Sequence, residues 1–493
     1  MSERVDEKPS TASPVEERLP GSGQSRRQWM VASAAAVAGS LAACGDTGGS
    51  SGAACAPGEG TPAPLPAFES DRCTDQIGAS SPPPDETRFA TWNEELRTKA
   101  AGRESALVDL DAVDHNMKLV GDQLGSRIAL RLVAKSLPSI NLLEYMMLAA
   151  CTNRVMAFSE GMTRDLLCRF GSDIDILLGR PATVEAAART FATLDERHPG
   201  DSNPASSVRW LVDTAERLAE YRDFADQRGT TINVAVEIDV GLRRGGAIDD
   251  DELLAMLSII DGSSRLRFTG FMGYEGHVPF APTGANPDRE FTQVQQRYAD
   301  FVQAGTEAFP ALFEGPLVHN SGGSRTYHRY TNDLQTPVNE IAMGSAFFFP
   351  FNFADLPAQE LRRATFLASP VLKKVDPAEI PFAPGFLPGL AEDDPNLEVS
   401  FHVVGGGFAG EQVFPDGLVE NTVVPGGGEG VNNLLSNQAE WLGSRQVALE
   451  VGDFVFYHPW EGDGIRWLSR LDVFRNGELV DQWSTFQPGI RWA

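Results

Sequence analysis

Lys135 ends the apolar run Leu130-Arg131-Leu132-Val133-Ala134 and opens the polar turn Ser136-Leu137-Pro138-Ser139. An amine that is partly desolvated at a strand end, near other cations, can be unprotonated near neutral pH, as attack on an aldehyde requires. A single lysine of this kind is more often solvated or salt-bridged, so its partners decide. Three later segments supply them: EIDVGLRRGG (237–246), GYEGH (273–277) and SGGSRTY (321–327). In the last, Ser321-Gly322-Gly323-Ser324 follows a strand-like run. Backbone amides in such a turn can cradle a phosphate, with the Ser324 and Thr326 hydroxyls assisting. Gly344-Ser345 is a second glycine break at a strand end. Arg244 is a candidate to hold a cofactor ring or phenolate by a charge-assisted hydrogen bond, whereas Arg243 is equally read as solvated. His277 stands at a strand end, either against a ring or in a structural hydrogen bond, with Tyr274 beside it.

A second constellation lies near the C-terminus. In VFYHPWEGDG (455–464), His458, Glu461 and Asp463 are side chains of types that can ligate an ion. A structural turn histidine is the alternative. None of the five cysteines has a paired metal-binding spacing. Cys55 and Cys73 fall where a disulfide could form in an oxidising compartment, and Cys151 and Cys168 read as buried apolar residues.

These residues need a scaffold, and the chain alternates short apolar runs with helix-like stretches from about residue 104. NRVMAFSE, DIDILLG, SVRWLVD, TINVAVEIDV, LRFTGFMGY and GPLVHNSGG read as strands, and VEAAARTFATLDE, TAERLAEYRDFADQRG and DDELLAMLSIIDG as helices between them. ALVDLDAVDHNMKLVGDQL opens this series as strand then helix, with Asp111 as the candidate cap. The order predicts a parallel sheet covered by helices. A strand count near eight with glycines at the C-terminal ends favours a TIM-like (β/α)8 barrel over 104–350. A doubly wound sheet is the runner-up, and the glycine fingerprint it needs after its first strand is missing. Residues 365–493 change to β-rich runs between Gly and Pro turns, a second, mostly antiparallel β domain that 89–103 would join.

The N-terminus reads as something other than fold. Ser25-Arg26-Arg27-Gln28-Trp29-Met30 is a twin-arginine pattern, and the small apolar stretch after it ends in Leu41-Ala42-Ala43-Cys44, shaped like a lipoprotein processing box. Residues 1–44 are therefore expected to be an export signal, with lipid on Cys44 as the only membrane attachment. Residues 45–88, rich in Gly, Ser, Pro and Ala, are expected to be a disordered tether. The net charge of −27 argues against nucleic acid or an anionic membrane surface as partner and leaves a small amino-acid substrate open.

Taken in order, ALVDLDAVDHN (106–116), LVAKS (132–136), EIDVGLRRGG, GYEGH, SGGSRTY and VNEIAMGSA (338–346) resemble the fold-type III pyridoxal-phosphate enzymes, those with an alanine-racemase-like N-terminal barrel. The similarity is greatest to their D-threonine aldolase and D-serine dehydratase branch. The resemblance implies pyridoxal 5′-phosphate as cofactor, Lys135 as its Schiff-base lysine and proton carrier at Cα, and His277 near the reacting atoms. It also implies cofactor contacts from Arg244, Tyr274, His277, Ser321, Gly322, Gly323, Ser324, Gly344 and Ser345, and a head-to-tail homodimer. The activity implied is a lyase acting on a β-hydroxy D-amino acid. A racemase or epimerase is the alternative, and a cofactor-binding envelope protein without catalysis is the non-enzyme reading. Three departures stand out: Val133 and Ser136 replace the family's usual histidine and threonine around the lysine, and Trp460 occupies a ligand position of the branch's metal motif, so that the zinc or manganese ion the resemblance implies would need His458 with Glu461 or Asp463 as oxygen ligands. SNQAEW (436–441) matches the branch only in part.

Overall fold

The computed structural model describes residues 85–100, 102–197, 204–280, 285–354, 360–380, 383–404, 409–421 and 438–486. The twin-arginine segment, Cys44, Cys55, Cys73 and nearly all of the tether lie outside them.

Eight parallel strands close a barrel: β2 (Ala129–Val133), β3 (Arg154–Ala157), β4 (Asp175–Leu178), β5 (Val208–Val212), β6 (Ile232–Glu237), β7 (Leu266–Met272), β8 (Val318–Ser321) and β9 (Glu340–Met343). The pairing Leu130↔Ile341 between β2 and β9 shuts the ring. Strands buried on both faces must be apolar almost throughout, which explains runs such as Val155-Met156-Ala157 and Ile176-Leu177-Leu178. Helices Ile140–Ala149, Glu160–Phe170, Val184–Arg197, Ala215–Arg228, Asp250–Asp261 and Pro287–Ala308 wrap the outside. Between β8 and β9 there is only a 3-10 turn, Tyr327–Arg329.

The first strand departs from expectation. β1 (Ser105–Asp109) opens no barrel: it pairs antiparallel with β10 (Thr365–Val375) and parallel with β16 (Arg470–Arg475) in the second sheet. Its helix, Leu110–Gln123, is capped by Asp109, whose Oδ1 accepts from the Asp111 and Ala112 amides at 3.0 and 3.3 Å. Asp111, the expected cap, instead accepts the Asn476 amide at 2.6 Å.

The second sheet runs β13-β14-β11-β10-β1-β16-β17, with β15 (Phe454–Pro459) joining β10 to β12 (Gly410–Phe414). The remaining members are β11 (Val399–Val404), β13 (Leu418–Glu420), β14 (Gln438–Gly443) and β17 (Glu478–Ser484). Only the β1–β16 pair is parallel, so the sheet is mostly antiparallel as expected. Most of residues 89–103 are helical and not strand. Helix Asp85–Lys99, which begins inside the stretch read as tether, lays Phe89, Trp92 and Leu96 on Leu107, Phe366, Phe454, Phe456 and Phe474.

Cys151 and Cys168, read as simple apolar residues, are both disulfide-bonded.

Candidate active site

The C-terminal ends of five neighbouring strands, β2, β9, β8, β7 and β6, carry the candidate residues, as the barrel geometry favours for a site. Lys135 follows β2 in a turn pinned by the Ala134 amide on the Met156 carbonyl (3.0 Å) and the Ser136 amide on the Val133 carbonyl (3.2 Å). Its side chain is 41% exposed, with Nζ 5.5 Å from the Phe158 ring centre and 3.5 Å from Asp463 Oδ2.

Asp463 arrives from the second domain on a 3-10 segment, Gly462–Trp467. Its Oδ1 accepts from Ser136 Oγ at 2.7 Å, and Ser345 Oγ donates to that same serine hydroxyl at 3.0 Å. Gly462 is fitted against Ser345: a Cβ there would lie 2.6 Å from Ser345 Oγ. The amide of Gly344 donates to Ser324 Oγ at 3.2 Å, tying the two glycine turns together. Lys135, Ser136, Ser324, Gly344, Ser345 and Asp463 thus form one connected group.

Both turns require glycine. At Gly322 φ is +65°, and a Cβ would meet Ile341 Cγ2 at 2.8 Å. A Cβ on Gly344 would sit 3.0 Å from both Ser136 Cβ and the Val133 carbonyl, and one on Gly323 would be 3.2 Å from the Tyr274 ring. Ser321 turns inward, its hydroxyl donating to the Gly273 carbonyl at 2.6 Å, so only its backbone is available to a ligand.

After β6, Arg244 is exposed and its guanidinium lies 5.0 Å from the centre of the Tyr274 ring. The loop's Gly241 packs on His277, where a Cβ would be 3.0 Å from Nε2. His277 Nδ1 is buried without a partner among the described residues, and burial holds its pKa below the ordinary histidine value. Two glutamates that composition did not single out lie close by. Burial pushes Glu237 up to about 7 against the opposing charge of Arg244. Burial raises fully enclosed Glu275 to about 6, although Tyr330 donates to its Oε2 at 2.7 Å. Glu275 was visible only as the middle of GYEGH, with nothing in sequence to mark its burial.

These features fit a phosphate-bearing aldehyde cofactor. Lys135 offers the amine, the 322–324 and 344–345 backbones with Ser324 and Ser345 offer a cradle, and Arg244, Tyr274 and His277 flank the opening. The metal candidates do not fit an ion. His458 Nε2 donates to the Phe349 carbonyl at 2.9 Å, and burial lowers its pKa to about 4. Glu461 is exposed, Asp463 faces Ser136 and Lys135, and no three His, Cys, Asp or Glu side chains converge on a metal position among the described residues. His458, in β15, is engaged with the Phe349 carbonyl, while Asp463 on its 3-10 segment is engaged with Ser136 and Lys135, so nearness in sequence does not make them a ligand set.

Comparison with known proteins bears on the barrel and on the fold. Residues 108–350 match the family model "Alanine racemase, N-terminal domain". A 3-hydroxy-D-aspartate aldolase from Paracoccus denitrificans is 22% identical over 270 residues, 52% of this chain and 63% of the relative. An alanine racemase from Mycobacterium ulcerans is 24% identical over 243 residues, 47% of this chain and 56% of the relative. The chain therefore spans about three-fifths of the length of the curated relatives it matches. The structure of D-threonine aldolase from Filomicrobium marinum superposes with a TM-score of 0.57 at 16% identity, covering 77% of this chain and 93% of the other, which establishes a shared fold. The chain belongs, through its barrel, to the fold-type III pyridoxal-phosphate enzyme superfamily, close to the D-threonine aldolase and hydroxyaspartate dehydratase branch.

Proposed function

We propose that this protein is a pyridoxal-phosphate-dependent lyase acting on a β-hydroxy D-amino acid, with aldolase-like or dehydratase-like chemistry. The observation that carries this reading is the pairing of Lys135 with Asp463 at one side of the barrel mouth, with Nζ and Oδ2 3.5 Å apart. Lys135 would bind the cofactor covalently, the 322–324 and 344–345 turns its phosphate, and Arg244 with Tyr274 its ring. The cofactor, when bound, supplies an electron sink for the bond that breaks at Cα. Lys135 holds and moves the proton at its Nζ, and Asp463 orients that amine while anchored by Ser136. Proton transfer from one side suits a lyase. A two-base racemase wants a second group opposite the lysine, and Tyr457, the tyrosine of the second sheet, is buried and accepts from Trp441 Nε1 at 2.8 Å.

Among the described residues His458, Glu461 and Asp463 do not converge on a metal position, so no step of the proposed reaction is routed through an ion. The test is to incubate holoprotein with D- and L-3-hydroxy amino acids, with and without chelator, and to follow aldehyde, ketoacid, ammonia and enantiomer separately. Aldehyde with glycine, or ketoacid with ammonia, from the D-isomers alone and unaffected by chelator is the expected result. Enantiomer exchange without net loss would replace the lyase with a racemase, and absence of any turnover by cofactor-loaded protein would favour a binding role.

The proposal includes export by the twin-arginine route to the cell envelope, anchored through lipid on Cys44, and a head-to-tail homodimer. Disulfide-bonded Cys151 and Cys168 support an oxidising destination. No helix among the described residues is long and apolar enough to cross a membrane.

A further inference from the structure

At the other end of the barrel from Lys135, the strand starts surround an open cavity of about 820 Å³. Its lining carries four arginines, Arg127, Arg154, Arg209 and Arg267, and no aspartate or glutamate. In a chain of net charge −27 this is a sharp local reversal of sign.

The carboxylates beneath the cavity do not cancel it. Glu340 accepts from Arg131 Nε at 2.6 Å and from Arg154 Nη1 at 3.0 Å, and Asp175 accepts from Arg209 Nε at 2.9 Å and from Arg131 Nη2 at 3.3 Å. Three guanidiniums thus share two carboxylates. Arg127 donates to the Thr336 carbonyl at 3.3 Å, and Arg267 is exposed at the second position of β7; neither has a carboxylate partner among the described residues. Five guanidiniums less two carboxylates leave three positive charges at one opening.

A charged layer that merely seals the barrel end would account for Arg131, Arg154 and Arg209. It would not account for Arg127, Arg267 or the open space between them. Phe268, Phe313, Leu317 and Val318 give the cavity an apolar wall, and His319 lines it with a buried Nδ1 that has no partner among the described residues. Guanidinium groups favour carboxylate and phosphate oxygens, and pockets of this size hold small organic molecules.

We propose that this cavity binds a small organic anion, a carboxylate or phosphate monoester with a short apolar body, at a site separate from the cofactor cradle. The proposal does not rest on which reaction the other end performs.

Calorimetric titration of cofactor-loaded protein at fixed ionic strength in chloride tests it, with phenyl phosphate, benzoate and neutral benzyl alcohol as probes. Saturable one-to-one binding of phenyl phosphate or benzoate, and none of the alcohol, is expected; whichever anion binds more tightly sets the class. The double variant Arg127→Ala/Arg267→Ala should weaken that binding at least tenfold while leaving turnover and melting temperature without probe unchanged. The corresponding double lysine variant should retain most of the affinity. Failure of both anions to bind, or equal binding by the alanine variant, overturns the proposal. So does loss of binding in Ser324→Ala with the arginines intact, because that places the anion in the cofactor cradle.

Discussion

Asp463 connects two contacts, accepting the Ser136 hydroxyl on one oxygen and lying 3.5 Å from the Lys135 amine on the other. Asparagine in its place keeps an acceptor for Ser136 and removes the charge beside the amine. Asp463→Asn should therefore lower kcat by about a hundredfold, the lower end of the range for groups engaged in proton transfer, with cofactor occupancy retained and the pH profile of kcat displaced. A normal kcat with an unmoved profile would show that Asp463 does not position the lysine. A second residue-scale expectation concerns Glu237, which is 7% exposed and pushed up by burial to about 7 from an ordinary 4.5. A raised carboxyl favours folding while neutral, so its contribution is complete below about 4.5 and lost as pH rises through about 7. The shift corresponds to at most roughly 3 kcal/mol. Glu237→Gln should flatten the fall in melting temperature between pH 5 and pH 8; an unchanged fall would assign it to other groups, Glu275 first among them.

At the scale of elements, helix Asp85–Lys99 is held to the second sheet partly through Arg88. Its Nη1 lies 3.0 Å from Asp109 Oδ2, with both side chains 4% exposed, and its guanidinium lies 4.8 Å from the Phe366 ring centre. Asp109 also caps the next helix, so one carboxylate connects a helix, β1 and the entry to the barrel. Removing one partner of a buried pair strands the other, and Arg88→Ala should cost about 3–5 kcal/mol in urea unfolding. A cost under about 1 kcal/mol would mean that Asp109 finds other compensation. The same region shows why sequence was only partly legible. The barrel strands were readable because burial on both faces leaves runs such as Asn233-Val234-Ala235-Val236 almost continuously apolar. β1 was misplaced because a strand followed by a capped helix looks the same locally whether it joins a barrel or another sheet. Its two partners, Thr365–Val375 and Arg470–Arg475, lie far along the chain, where no local period announces the pairing. Lys135, Ser324, Gly344 and Ser345 were legible as strand-end punctuation and the fold gathers them. The contact of Asp463 with Lys135 was hidden, since it joins two domains and its short sequence distance from His458 suggested a different chemistry.

For the whole molecule, the paired features are an N-terminal export pattern and disulfide-bonded cysteines in the folded body. Cys151 follows helix Ile140–Ala149 and Cys168 lies in helix Glu160–Phe170, both on the barrel exterior. A disulfide in such a body persists in an oxidising compartment and is kept reduced in most cytoplasms. Twin-arginine export carries proteins already folded, so the cofactor would be acquired inside and the disulfide formed afterwards. Alkylation of denatured full-length protein, read by mass, separates the steps: envelope protein should have Cys151 and Cys168 blocked. A variant with Arg26→Lys and Arg27→Lys should stay inside, loaded with cofactor, and expose both thiols. Cys44→Ser should still be exported and oxidised, but should move from the membrane fraction to the soluble one. Wild-type protein found in the cytoplasm with both thiols free would refute export, and a Cys44→Ser form still wholly membrane-bound would refute the lipid anchor.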